Sequence, residues 1–356
     1  MESRGKKQNS GKPRVVTLKA VAEYVGLTPG TVSAVLNNSA ASRSVPEHTK
    51  KRIFAASREL NYHPNYLARS LRVQRTFTIG VITRDLSDAY AAMIISGIER
   101  YLRQQNFFFL TVAHHNDSKL LESYSNILLR RGVEGLISVD TLLGEPQNLP
   151  TIAIAGHRPL PGVTNILLDH RRAALLALQH LVDLGHRDIA FMKGPEYSAD
   201  SADRWNAILE VAKDLDITVR PELIIQLEGD LSTPEVAYPA TRAFLNSQKV
   251  PFTALFAFND NSAMGAISAF QEAGLNVPND VSVVGFDDTK MAPYSNPSLT
   301  TVRQPLLEMG EIAARSLLSQ IKNGDEYVAE ILIEPEFVVR KSTGKAPLRP
   351  AQLKKR

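Results

Sequence analysis

The sequence predicts two parts of different class: an N-terminal all-α helix-turn-helix head, and a larger α/β body of two doubly wound parallel-sheet subdomains. Three observations predict them. Residues 17–60 carry short apolar runs at helical spacing. From Thr76 onward, strand-like apolar runs alternate with amphipathic helical ones, the pattern of parallel sheets covered by helices on both faces. The charge changes with the class: residues 1–75 hold 14 Lys and Arg against 4 Asp and Glu, residues 76–339 hold 20 against 33, and residues 340–356 hold 7 against none.

A basic head on an acidic body implies that the head meets a polyanion. A length of 356 residues suits two or three packed units. No apolar run reaches the length of a bilayer-spanning helix, and Met1 to Val15 lack the apolar core of an export signal. The absence of cysteine excludes disulfides and thiolate metal sites, and a cytoplasmic setting is expected.

Along the chain, residues 1–14 read as a disordered basic arm. Thr17 precedes Leu18, Val21, Ala22 and Val25, a capped helix. Gly26-Leu27 breaks it. Thr28 caps a second helix with Pro29 in its first turn and Val32, Val35 and Leu36 as its apolar stripe. The loop Ser39–Ser44 comes next. A third helix is expected over Pro46–Leu60, with Ile53, Phe54, Ala56 and Leu60 facing inward. In the body, strands are expected over 77–82, 107–113, 133–139, 151–155, 164–168, 188–192, 223–226, 253–258 and 281–286. Helices over 89–105, 119–131 and 171–184 are the clearest of those between.

Ligands of such sheets sit beyond the carboxyl ends of the strands. Directly after strands in this chain come Arg84, Asp85 and Tyr90, then Asp200, Arg204 and Trp205, then Asn259 and Asp260, then Asp287 and Asp288. Carboxylates and amides accept paired hydroxyls, Arg donates in a fork, and rings stack on a sugar face. The adjacent histidines His114-His115 point to opposite faces of a strand, so no metal and no cofactor is expected.

Val16-Thr17-Leu18-Lys19-Ala20-Val21-Ala22, Thr31-Val32-Ser33, Val35-Leu36-Asn37, Leu60-Asn61-Tyr62-His63-Pro64-Asn65 and Ala68-Arg69-Ser70-Leu71 resemble the head of the lac repressor family. The body resembles that family's periplasmic-binding-protein-like effector domain. The carrying segments are Val133-Glu134-Gly135-Leu136-Ile137, Gly185-His186-Arg187-Asp188, Phe258-Asn259-Asp260, Val277–Asp288 and Leu299-Thr300-Thr301-Val302.

The resemblance implies a transcriptional regulator, expected to be a repressor. Its second helix would enter the major groove of a pseudo-palindromic DNA operator, and its affinity would be set by a small polar effector. A homodimer is implied; no membrane partner is expected. The implied boundaries are 15–63 for the head, 64–75 for a hinge helix and linker, and 76–341 for the body. Within the body the first subdomain would take 76–168 and 299–325, and the second 169–298 and 326–341. Residues 342–356 read as a disordered basic tail. The implied DNA contacts in the head are Thr17, Thr28, Thr31, Ser33, Asn37 and Tyr62, with Arg43 from the loop. In the hinge they are Asn65, Ala68, Arg69, Leu71 and Arg72, Leu71 being the wedge between base steps. Pro29, Gly30 and Ala34 occupy places where relatives carry polar base readers, so reading is expected to shift to their neighbours, to thymine methyls and to groove shape. The effector contacts implied are Tyr90, Arg204, Asn259, Asp260 and Asp287. Leu231 stands where some relatives have a ring, and His157 could replace an aspartate that Gly156 lacks.

Two rival classes are weighed. An exported sugar-binding protein would need a signal and would have no helix-turn-helix. An enzyme of α/β class would need a phosphate loop, nucleophile elbow or triad, and none is found.

Overall fold

The computed structural model describes residues 16–63, 70, 73–145, 148–155, 159–196, 198–228, 234–247, 250–324 and 328–347. The expected basic arm, most of the hinge and most of the tail lie outside them. The chain divides between Thr76 and Phe77 into two compact units.

In the first unit, α1 spans Leu18–Val25. The Thr17 hydroxyl accepts from the Ala20 N–H at its start, and Gly26 ends it at φ 67°. Helix α2 spans Pro29–Leu36, with Thr28 accepting from the Thr31 N–H. A 3₁₀ turn, Ala40–Ser44, occupies the enlarged loop, and α3 spans Glu47–Glu59. Val21, Ala22, Val25, Val32, Val35, Ile53, Ala56 and Tyr62 form the core. Phe54, expected inside, is 43% exposed. Ile53 and Ala56 already fill the inward stripe of α3, and one residue further round the helix points to solvent.

The body opens with β1 (Thr78–Thr83), α4 (Ala89–Gln104), β2 (Phe108–Ala113), α5 (Ser118–Arg130), β3 (Leu136–Val139), β4 (Thr151–Ile154) and β5 (Val163–Leu168). It continues with α6 (His170–Asp183), β6 (Ile189–Lys193), α7 (Ala199–Asp214), β7 (Ile224–Gln226), α8 (Pro234–Ser247), β8 (Ala254–Phe256), α9 (Asp260–Glu272), β9 (Ser282–Asp287) and β10 (Thr300–Arg303). It closes with α10 (Leu306–Asn323), β11 (Glu330–Ile333) and β12 (Glu336–Val338). One sheet runs β11-β5-β4-β3-β1-β2 and the other β12-β10-β9-β8-β6-β7. All these pairs are parallel except β10 with β12. Buried strands such as β3, β4 and β9 have no polar face, as parallel sheets between helices require.

Two segments sit in the opposite half from that expected. Residues 300–303 pair with β9 in the second sheet, and residues 330–333 pair with β5 in the first. Helix α10 does pack on the first half, against α4, β3 and β4. The chain therefore crosses between halves three times, at Asp169, at 304–305 and at 334–335. An apolar strand carries no mark of which sheet it will complete, and this is the physical reason for the correction.

Candidate functional site

Nine residues at the carboxyl ends of the two sheets line one pocket: Asp88, Tyr90, Asp140, Ser198, Asp200, Arg204, Phe258, Asn259 and Asp287. Asp88 caps α4, taking the Tyr90 N–H on Oδ1, so Tyr90 is fixed in the first turn. Asn259 caps α9 in the same way, accepting from the Ser262 N–H at 2.8 Å. Asp140 comes directly after β3, and Asp287 ends β9 with φ 108°, a conformation that a non-glycine residue adopts only at a cost.

Two arginines anchor the cluster. Arg84 donates to Asp140 at 3.0 Å and to Asp88 at 2.9 Å. Arg204, on α7, donates to Asp200 at 2.9 Å and to the Phe258 carbonyl at 2.6 Å. Its guanidinium carbon lies 3.8 Å from the Phe286 ring centroid. His170 meets the other oxygen of Asp200 at 3.3 Å. Burial raises the pKa of Asp140 to about 6 and also raises those of Asp88 and Asp287, in each case against the pull of a neighbouring arginine. The buried Tyr90 hydroxyl has no hydrogen-bond partner among the described residues. The free volume is about 30 Å³, room for a water or two rather than a sugar ring. A larger ligand must displace Arg204 or part the two halves.

Of the predicted residues, Tyr90, Arg204, Asn259 and Asp287 come together here. Arg84 stands behind the pocket, holding two of its carboxylates. Asp85 turns back on Ser87, whose N–H donates at 2.8 Å and lowers the Asp85 pKa. Trp205 packs edge-on against Phe191. Asp260 accepts from Thr289 and Thr301, away from the lining. His157 and Leu231 lie outside the described residues. Asp140 and Ser198 are pocket residues that the sequence pattern did not single out. For Asp140 a signal exists: it is the first residue beyond a strand, the position that marks the rest of the rim.

In the head, Thr28, Pro29, Gly30 and Arg43 are exposed, while Thr31, Ala34 and Asn37 are half-buried. A Cβ at Gly30 would meet the Thr28 hydroxyl at an ordinary 3.9 Å. Thr28 and Thr31 share a hydroxyl contact of 3.0 Å. Ser33 is 7% exposed and its hydroxyl meets the Asn37 amide, so it faces the core rather than solvent. Tyr62 is buried in the core as well. Thr17 is engaged at its cap. Asn65, Ala68, Arg69, Leu71 and Arg72 lie outside the described residues. The 3₁₀ turn packs on α2, and the Ser39 N–H donates to the Ala34 carbonyl at 3.0 Å, so the turn that carries Arg43 lies against α2.

Residues 17–65 match the model for bacterial regulatory proteins of the lacI family, and residues 178–343 match that for a periplasmic binding protein-like domain. The chain is 34% identical over 342 residues to the HTH-type transcriptional repressor PurR of Photorhabdus laumondii, covering 94% of this chain and 98% of that one. It is 33% identical to that of Klebsiella pneumoniae with the same coverage. The lac repressor dimer bound to operator and the anti-inducer ONPF superimposes with a TM-score of 0.82 at 28% identity, over 93% of this chain and 100% of that one. The complex of the transcriptional regulator CelR with cellobiose gives 0.66 at 25% identity, over 92% and 99%. A lacI-family regulator from Enterococcus faecium with bound ribose gives 0.66 at 28%, over 76% and 100%.

Proposed function

Because the chain belongs to the lacI family of bacterial regulatory proteins, with a DNA-binding head and a ligand-binding periplasmic-like body, we propose that its operator affinity is set by a small polar effector held between the two halves of the body. The observation that carries this is the pocket where Tyr90 and Asp140 of one half face Arg204, Asn259 and Asp287 of the other. A sugar-like molecule suits it. Carboxylates accept ring hydroxyls, the Asn259 amide nitrogen donates to one, and the Tyr90 hydroxyl and Phe258 ring supply a further donor and an apolar face. The ribose and cellobiose complexes of the two relatives support that class. Tyr90, Arg204, Asn259 and Asp287 are the contacts proposed first, with Asp140 added. The effector changes DNA affinity only through its differential affinity for two arrangements of the halves. A hundredfold change requires about 2.7 kcal/mol of coupling.

On the DNA side, the chain acts as a homodimer on a pseudo-palindromic operator. Thr28, Thr31 and Asn37 contact the duplex beside Pro29, Gly30 and Ala34, and Arg43 is added from the 3₁₀ turn. Pro29, Gly30 and Ala34 offer no side-chain donor to a base edge. Arg43, exposed on the turn packed against α2, is therefore the long cation best placed to read a guanine or grip a phosphate there. A cytoplasmic, nucleoid-associated location follows from this activity.

Selection on random duplex DNA tests the reading. The full chain is expected to enrich a two-fold symmetric site, and a chain beginning at Phe77 none. Equal binding by both overturns it. Arg43→Ala is expected to relax one flanking position of the selected site. Thermal-shift screening of sugars and nucleosides, followed by operator binding with each hit, identifies the effector.

A further inference from the structure

Gln304 ties the pocket wall to the hinge. Gln304 lies in the second crossing, between β10 and α10, and is 2% exposed. Its side-chain amide donates to Asp287 Oδ1 at 2.7 Å, and its backbone N–H donates to the Asp287 carbonyl at 3.3 Å. Its own Oε1 is buried with no partner among the described residues. An unsatisfied buried oxygen is a cost that an apolar residue would avoid. The side chain is thus poorly explained by stability and well explained by what it holds.

What it holds is strained. Asp287 has φ 108° and Asp288 φ 55°. The Asp288 carboxylate is gripped by Arg303 at 2.7 Å and Arg340 at 2.6 Å. The other arm of Arg303 reaches Glu336 at 2.8 Å, just past the third crossing. The third crossing is joined to the first, where the Asp169 N–H donates to the Ile333 carbonyl at 2.9 Å. The turn that presents Asp287 to the pocket is therefore linked by short bonds to all three crossings.

We infer that Gln304 is a positioning residue that couples the ligand-facing carboxylate of Asp287 to the hinge. This rests on the reading of the pocket as the effector site. A ligand that draws on the Asp287 carboxylate changes the hydrogen bond that the Gln304 amide makes, and with it the path of the second crossing. Occupancy is converted into rotation of one half against the other without a long chain of intermediates.

The chain has no cysteine, so Glu122→Cys on α5 and Glu210→Cys on α7 accept spin labels cleanly, one on each half. Pulsed-dipolar distances are measured on the full-length, ligand-free protein. Gln304→Leu removes the donor. Gln304→Asn keeps the polarity but falls one carbon short. Each is expected to broaden the distance distribution or move its mean by more than about 2 Å. Ile189→Val, a loss of core volume away from the hinge, is expected to leave it unmoved. An unchanged distribution in the Gln304 variants overturns the inference, as does an equal change in Ile189→Val. Should one Gln304 variant fail to fold, the other decides. The readout needs neither DNA nor effector. Failure of the regulatory reading would instead appear as absence of a selected DNA site in the unaltered chain.

Discussion

Asp140 concentrates the electrostatics of the pocket in one side chain. Burial lifts its pKa to about 6 even though Arg84 donates to it. A carboxyl whose pKa is higher in the folded than in the unfolded chain binds its proton more tightly when folded. Its contribution to stability is complete below the unfolded value, near 4, and is lost as pH rises through about 6. Asp88 and Asp287 are shifted in the same direction. The contribution of Asp140 to the stability of the body is therefore expected to fall between about pH 4 and pH 6, by on the order of 2 kcal/mol. The difference in stability between the unaltered protein and Asp140→Asn should change across that window, and a difference that stays constant with pH would contradict the assignment. The residue was hard to find because Thr141, Leu142 and Leu143 come after it, so it reads as a turn rather than a rim. Asn259 and Asp260 show the opposite difficulty. Both looked like rim residues, but a step of one position round the first turn of α9 sends Asn259 to the pocket and Asp260 to Thr289 and Thr301.

Among elements, the crossing of α4 and α10 brings two backbones unusually close. A Cβ at Gly310 would run into the carbonyl oxygen of Ile94, and one at Gly97 into that of Leu307. Each glycine costs its helix about 1 kcal/mol relative to alanine, a penalty offset by the close approach of the two backbones. Gly310→Ala is expected to destabilise the body by about 1–3 kcal/mol in urea titration. Gly30→Ala on α2, where the nearest atom to a new Cβ is 3.9 Å away, should not destabilise the head. Equal stability of Gly310→Ala and the parent would refute the packing argument. Most elements were legible, since the alternation of apolar strands and amphipathic helices and the caps at Thr17 and Thr28 are local signals. The rest depended on neighbours distant in sequence. Phe54 fitted an inward pattern that Ile53 and Ala56 had already filled, and the strands at 300–303 and 330–333 gave no sign of which sheet would accept them.

On the scale of the whole chain, the basic head and acidic body divide the work: one is drawn to phosphate and the other repelled by it. If a dimer neutralises about ten phosphates, log K for the operator should fall against log salt with a slope near −9, measured by anisotropy over a salt series. A slope shallower than about −3 would remove the head's cations from the interface. The three passages between halves carry a further consequence, one of timing. Strand β11 completes an edge of the first sheet and β12 an edge of the second, and both come from the last few dozen residues of the chain. Neither half is therefore finished until residues 330–338 have emerged from the ribosome, whereas the contiguous head can acquire its shape while the rest is still being made. On a nascent chain of this protein the head would have its shape before the pocket existed.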